Sequence, residues 1–221
     1  MKKNILSLSA LLVLALACGN QPSKPAVESA DAVAVEAPSD NAASYTVDAA
    51  GSTMRWEGYE GISFGSPEHF GSVAISEGSI QVNGDTLSGG RFVIDMNTIT
   101  VLDIPAEKSG NAKLTRHLKN EDFFDVPKYP TASFDITGSR TSGADSLIVT
   151  GNLTLKGISK SISFPAAISR TDSTFSATTR FVIDRKDWGV VYRSESSLGD
   201  KMIRPEIAFE IALKAARAAK S

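Results

Sequence analysis

The sequence predicts an all-β fold: one antiparallel β-barrel of about eight strands with a short helical insertion. Two observations carry this. Apolar and polar residues alternate with period two in segment after segment between residues 45 and 213, and turn residues separate the segments. That rhythm breaks decisively once, across residues 112–124, where apolar residues fall at helical spacing instead. No linker interrupts this stretch, so a single domain is expected.

The elements follow in order. Met54 and Trp56 share a face against Arg55 and Glu57. Phe70, Val73 and Ile75 come next, then Ile80 and Val82 beyond Glu77-Gly78, where the glycine reads as a bulge within one long bent strand rather than a hairpin turn. Phe92, Ile94 and Met96 alternate with Arg91, Val93, Asp95 and Asn97. Leu114 and Leu118 then stand one helical turn apart and lead into the pair Phe123-Phe124. Pro127 and Pro130 stop any helix there, since each lacks an N–H and biases its predecessor toward extended geometry. From Thr131 alternation resumes, with Ala132, Phe134 and Ile136 on one side. Later strands repeat it through Leu147, Val149, Leu153 and Leu155, then Ile162 and Phe164. Phe175, Ala177, Thr179, Phe181 and Ile183 form one face of the penultimate strand, and Ile207, Phe209, Ile211 and Leu213 close the chain.

The N-terminus is read as an export signal. Lys2 and Lys3 supply a positive start, and the apolar stretch 5–16 is too short to span a membrane, which takes ~20 residues. Cys18, the single cysteine, follows small apolar residues of the kind that precede a bacterial lipoprotein cleavage site, so it is the expected lipidation site. Residues 1–17 are thus assigned to the signal peptide. The stretch 18–44, rich in Ala, Pro, Ser, Asp and Glu, is assigned to a flexible tether because it offers little apolar surface to offset the entropy of ordering. Residues 45–214 make the barrel domain and 215–221 a C-terminal tail.

Charge excludes one partner class. A net charge of -2, from 23 basic and 25 acidic residues, leaves no basic stripe for a phosphate backbone, so nucleic acid is not expected. His69 and His117 lie in no metal-ligand spacing, no serine sits in a nucleophile elbow and no glycine-rich loop is placed for phosphates, so neither metal, cofactor nor catalytic activity is expected.

Alternation shows that one face of each strand is buried, and leaves two answers for what lies inside: a core filled by side chains or a cavity holding a ligand. Phe92, Ile94, Met96, Phe134, Phe181 and Ile183 are inward by alternation. Leu114, Leu118, Phe123 and Phe124 give the insertion more apolar bulk than a connecting loop needs, which suits an element over a barrel mouth or one plugging an ordinary core. His117 is placed either at the mouth, bonding a ligand head group, or half-buried against a backbone carbonyl. Trp56, Trp188 and Tyr192 are rings that either pack on a ligand or close the barrel.

Three separated motifs carry a family resemblance: LTRHLKNEDFFDVPKYPTASF at 114–134, GNLTLKGISK at 151–160 and FVIDRKDWGV at 181–190. With YTVDAAGSTMRWEG at 45–58 and GGRFVIDMNTI at 89–99, the chain resembles the YceI-like family of lipid- and polyisoprenoid-binding proteins over about residues 45–213. The resemblance implies a lipocalin-like barrel of about eight strands whose interior tunnel holds a long apolar chain, with no catalytic activity. It favours the cavity over the filled core. The expected function is then a non-enzymatic protein of a Gram-negative cell envelope, periplasmic or associated with the outer membrane. Anchored through Cys18, it would sequester or transport a polyisoprenoid, an isoprenoid quinone, or a fatty acid or amide. A homodimer is compatible with this reading. The alternative is an envelope-stress or surface-interaction module with a filled barrel.

Overall fold

The computed structural model describes residues 25–37, 41–61 and 68–218; Cys18 and the expected signal peptide lie outside them. Among the described residues ten strands and one α-helix follow in the order β1 (Ser29–Asp31), β2 (Ala43–Val47), β3 (Thr53–Glu60), β4 (His69–Asn83), β5 (Thr86–Val101), α1 (Ser109–Lys119), β6 (Thr131–Gly143), β7 (Ser146–Leu155), β8 (Ile158–Arg170), β9 (Thr174–Asp184) and β10 (Ile203–Arg217). From β4 to β10 each strand pairs antiparallel with the next. Closure comes from β2 and β3, two halves of one stave: each pairs with both β4 and β10, β3 along most of β10 and β2 at its end. Eight staves thus close an antiparallel barrel, with β8 and β9 joined only from Ala167 with Thr178 to Arg170 with Phe175.

Apolar side chains point in, including Trp56, Ile94, Phe181 and Leu213, while outward positions carry ion pairs such as Arg91–Asp135 at 2.7 Å and Arg180–Glu210 at 2.9 Å. This is the inverse of a membrane-spanning barrel, whose apolar band faces out.

Long strands follow the barrel's curvature by bulging. β4 is one continuous strand past Gly78, as its sequence implies, with register shifts against β5 between Ser72 and Ala74, Ile75 and Glu77, and Gln81 and Val82. Gly78 itself answers to space rather than to a bulge: a Cβ there would meet the Val47 side chain at 2.6 Å and the Phe92 ring at 2.9 Å. Strict alternation along β4 corrects one grouping of its apolar residues. Phe70 does not share the inward face of Val73 and Ile75; it lies outside with the Arg55 guanidinium 4.0 Å above its ring, a cation–π contact.

The helix begins three residues earlier and ends five residues sooner than the 112–124 spacing suggests. Arg116, His117 and Lys119 in its last turn complement the helix dipole. Asn111 pins its start by donating from Nδ2 to the carbonyls of Val101 and Ile104 at 3.0 and 2.7 Å. Phe123 and Phe124 lie beyond the helix in a turn held by Asp125 N–H to Asn120 O at 2.8 Å and Val126 N–H to Lys119 O at 2.9 Å.

Two boundaries move. β10 runs through residues 215–217, assigned above to a tail, because Ala215 pairs with Val47 and is buried. Residues 25–33, assigned to a flexible tether, are paired with the barrel: β1 runs antiparallel to β8, and Val27 N–H donates to Val182 O at 2.9 Å. Composition weighs only the apolar surface a segment can bury. Here unpaired strand edges supply backbone partners, which composition does not register.

Candidate functional site

The inward faces of the staves enclose a cavity of about 370 Å³, within the roughly 300–1,000 Å³ of small-molecule sites. Its wall is built from register. Phe92 on β5 lies opposite Phe134 on β6, their rings 6.5 Å apart; Phe134 is 5.4 Å from Phe164 on β8; Phe164 stacks on Phe181 of β9 at 4.4 Å and 9°; Phe181 is 5.6 Å from Phe209 on β10. Phe209 in turn pairs with Trp56 on β3. Most of these separations fall in the 4.5–7 Å range of favourable aromatic contact, so the rings form a belt that neighbours hold in place. Met54, Ile75, Ile94, Met96 and Leu153 continue the lining.

The two ends of the cavity differ. Where β4, β6 and β8 turn to the next strand, the lining is Ile80, Leu87, Ile136, Val149, Phe175 and Leu213, all apolar. Where β3 and β9 end and β4 and β10 begin, polar groups join it: Glu60, Glu68, His69, Arg193, Arg204 and Glu206. Leu114 and Leu118 of α1 and the Phe123-Phe124 turn also line the cavity, and at this polar end the His117 ring stands edge-on to both Phe123 and Tyr192 at 5.0 Å.

Arg185 is the polar end's anchor. It opens a 3-10 turn, Arg185–Trp188, whose start is capped by Asp184 accepting from Lys186 N–H at 2.9 Å and whose end is Gly189 at φ 70°, a left-handed conformation that suits glycine. The Arg185 side chain is 1% exposed and donates to four carbonyls: Arg204 at 3.1 Å, Val190 at 2.5 Å, Tyr192 at 2.8 Å and Ile203 at 2.7 Å. Its guanidinium lies 5.8 Å from the Phe123 ring. Burial lowers its pKa, partly offset by the charge of Asp184. One cation thereby ties the chain after the turn to the start of β10 and to the aromatic cluster.

Carboxylates at the same end are held ionised. Burial opposes the charge on Glu206, but the hydrogen bonds and charge of Arg204, a backbone hydrogen bond and the charge of Lys186 together outweigh it and lower the pKa. For Asp103, burial is likewise outweighed by the His69 ring at 2.8 Å and the Phe70 N–H at 2.9 Å. Among the described residues no group of three or more His, Cys, Asp and Glu could hold a metal ion.

Comparison with known proteins gives the fold a relationship. The model of the YceI-like domain family matches residues 45–215. The chain belongs to the YceI-like family. A "UPF0312 protein" of Azotobacter vinelandii is 28% identical over 134 residues, 60% of this chain and 59% of that protein, and one of Vibrio campbellii is 31% identical over 126 residues, 57% of this chain and 63% of that protein. The chain thus spans about three fifths of the length of these relatives. Among solved structures, Burkholderia cenocepacia BcnA superposes with a TM-score of 0.58 at 20% identity, covering 76% of this chain and 98% of that one. A polyisoprenoid binding domain from Saccharophagus degradans, implicated in plant cell wall breakdown, gives 0.56 at 13% identity, covering 79% and 98%. These likenesses establish the shared fold.

In this YceI-like barrel the residues singled out from sequence fall into two groups. Trp56, Phe92, Ile94, Met96, Phe134 and Phe181 line the cavity wall, as do Leu114, His117, Leu118, Phe123, Phe124 and Tyr192. Ile183 and Trp188 do not. Ile183 is 1% exposed and lies on the Phe181 face, next to the 3-10 turn, packed among its neighbours and not against the cavity. Trp188 is fully buried with its indole N–H donating to Leu153 O at 2.9 Å, a packing role. His117 has a partner that neither reading of it named: Nε2 lies 3.1 Å from Asp122 Oδ2. Phe164 and Phe209 complete the aromatic belt and were left out of the candidate wall, although the alternation that placed Phe134 and Phe181 also places them. Arg185 entered by a route alternation does not register, from a turn after its strand.

Proposed function

We propose that this protein is a non-enzymatic carrier that holds a long apolar chain inside its barrel, exported to a Gram-negative cell envelope and anchored there through lipidated Cys18. The contiguous apolar cavity carries this reading, because it offers space and apolar contact where a barrel filled by its own side chains would offer neither. Two facts support it: membership of the YceI-like family, and the fold shared with a domain described as polyisoprenoid binding. At ~25 cal/mol per Å² of apolar surface removed from water, a hydrocarbon chain is retained without demanding head-group recognition. Polyisoprenoids, isoprenoid quinones and fatty acids or their amides all fit that chemistry, for transport or for sequestration.

Two experiments test the proposal. Organic extraction and mass spectrometry of the protein, purified from its own envelope without detergent, should yield a stoichiometric long-chain lipid; a protein that is empty whenever so prepared overturns the carrier. Cys18→Ser should release the folded domain into the soluble periplasmic fraction, and a variant that stays with the membrane overturns the anchor.

A further inference from the structure

The barrel carries a seam that its own N-terminal segment closes. β8 and β9 pair only from Ala167 with Thr178 to Arg170 with Phe175; beyond that point neither strand has the other as a ladder partner. Pro165 explains where pairing stops. Its carbonyl accepts from the Thr179 hydroxyl at 2.6 Å, so its backbone nitrogen is on the β9 side too, and a proline has no N–H to give there.

Residues 25–33 fill the widening gap. Val182 N–H on β9 donates to Pro25 O at 3.0 Å, and Val27 N–H donates back to Val182 O at 2.9 Å. On the other edge Ser29, Ala30 and Asp31 pair with Ile162, Ser161 and Lys160 of β8. The segment then crosses to β7, where the Asn152 side chain clasps Val33 through both its N–H and its carbonyl at 3.1 and 2.7 Å. Ser29 Oγ donates to Asp187 at 2.7 Å, fastening the strap to the turn that holds Arg185. Both borders of the seam belong to the cavity, since Ile162, Phe164 and Phe181 line it, and Val27 packs against the core between them.

The strap differs from a stave in kind. It lies outside the residues that match the family, and Val27 is its only side chain packed into the core; the rest of its hold is backbone and polar contact. A strand inserted between two others doubles the usual spacing, so without it β8 and β9 stand about 9–10 Å apart along the seam. It also begins seven residues after Cys18, within about 25 Å of that cysteine at full extension.

We propose that residues 25–33 are a lateral door: their release from the β8–β9 seam opens a slot through which a long apolar chain passes sideways between the cavity and the membrane. This rests on the carrier reading above. The seam is then a gate set by the strap.

Ala26 and Val182 are bridge partners, so a cysteine pair there can lock the strap to β9. In the full chain carrying Cys18→Ser, Ala26→Cys and Val182→Cys, stopped-flow uptake and release of a fluorescent C18 polyene fatty acid are measured oxidised and reduced. The door predicts that oxidation slows both rates by about tenfold or more with unchanged equilibrium affinity, and that reduction restores them. Equal rates in both forms, with binding intact, overturn the door and leave the carrier standing. Absence of binding in both forms and in the unmodified chain overturns the carrier and the door with it. Should the pair fail to cross-link, Ser29→Ala with Asn152→Ala loosens the strap and must speed both rates; unchanged rates overturn the door.

Discussion

Phe181 and Ile183 are two residues apart on the same face of β9, and they do opposite things. Phe181 lines the cavity, stacked on Phe164, while Ile183 is sealed beside the 3-10 turn that buries Trp188 and Val190. The interior therefore has two regimes, a chamber kept open by a belt of mutually supporting rings and a packed plug where the 3-10 turn folds in and the Arg185 side chain gathers the segment after it and the start of β10. A side chain in the plug contributes to stability by filling space. One in the chamber wall leaves space that a ligand can fill, so the same substitution should read out differently in each.

The plug should give the largest effects. Trp188→Ala removes a fully buried indole and leaves Leu153 O without its donor, which predicts a loss of ~3–5 kcal/mol in urea unfolding; a loss below ~1 kcal/mol would dissolve the distinction between plug and chamber. Ile183→Trp overpacks the same region and should cost ~1–3 kcal/mol, with ligand affinity retained by the fraction that folds. On the chamber side, Phe123→Ala with Phe124→Ala should leave the strands folded by circular dichroism and raise the off-rate of a long-chain lipid. Unchanged release would make that turn a structural clasp only.

The smallest effect concerns acid. Since the folded-state pKa of Asp103 is lowered from 3.8, its stabilising contribution is fully present above that value and is lost as pH falls through the lowered one. Asp103→Asn should therefore flatten the decline of stability on the acid side, measured as urea midpoints from neutral pH to below about 3. An identical decline in both proteins would show that the His69–Asp103 contact contributes nothing there.

Alternation made the wall legible because a pleated strand sends every second side chain inward, and that rule needs no knowledge of neighbours. Phe70 stands three residues before Val73, so strict alternation itself puts it on the outward face, and grouping it with Val73 and Ile75 by apolarity alone misplaced it. Alternation could not separate Ile183 from Phe181, since whether a buried side chain meets a void depends on how the chain folds back after the strand, here in the 3-10 turn that opens two residues later. Residues 25–33 looked like a tether for a related reason: their pairing depends on an edge left open by Pro165, more than a hundred residues later. Cavity-wall residues were thus readable one by one, while the plug, the strap and the reach of Arg185 arise only when separate segments meet.

The most direct measurement is Ile94→Trp, whose added ring enters the chamber from β5. Binding of the C18 polyene fatty acid and the melting temperature are recorded together for the variant and the unmodified protein. An interior held open for a ligand predicts that binding is abolished while the melting temperature barely moves. A melting temperature that falls as overpacking of a filled core requires, with binding unaffected in the folded protein, would contradict it.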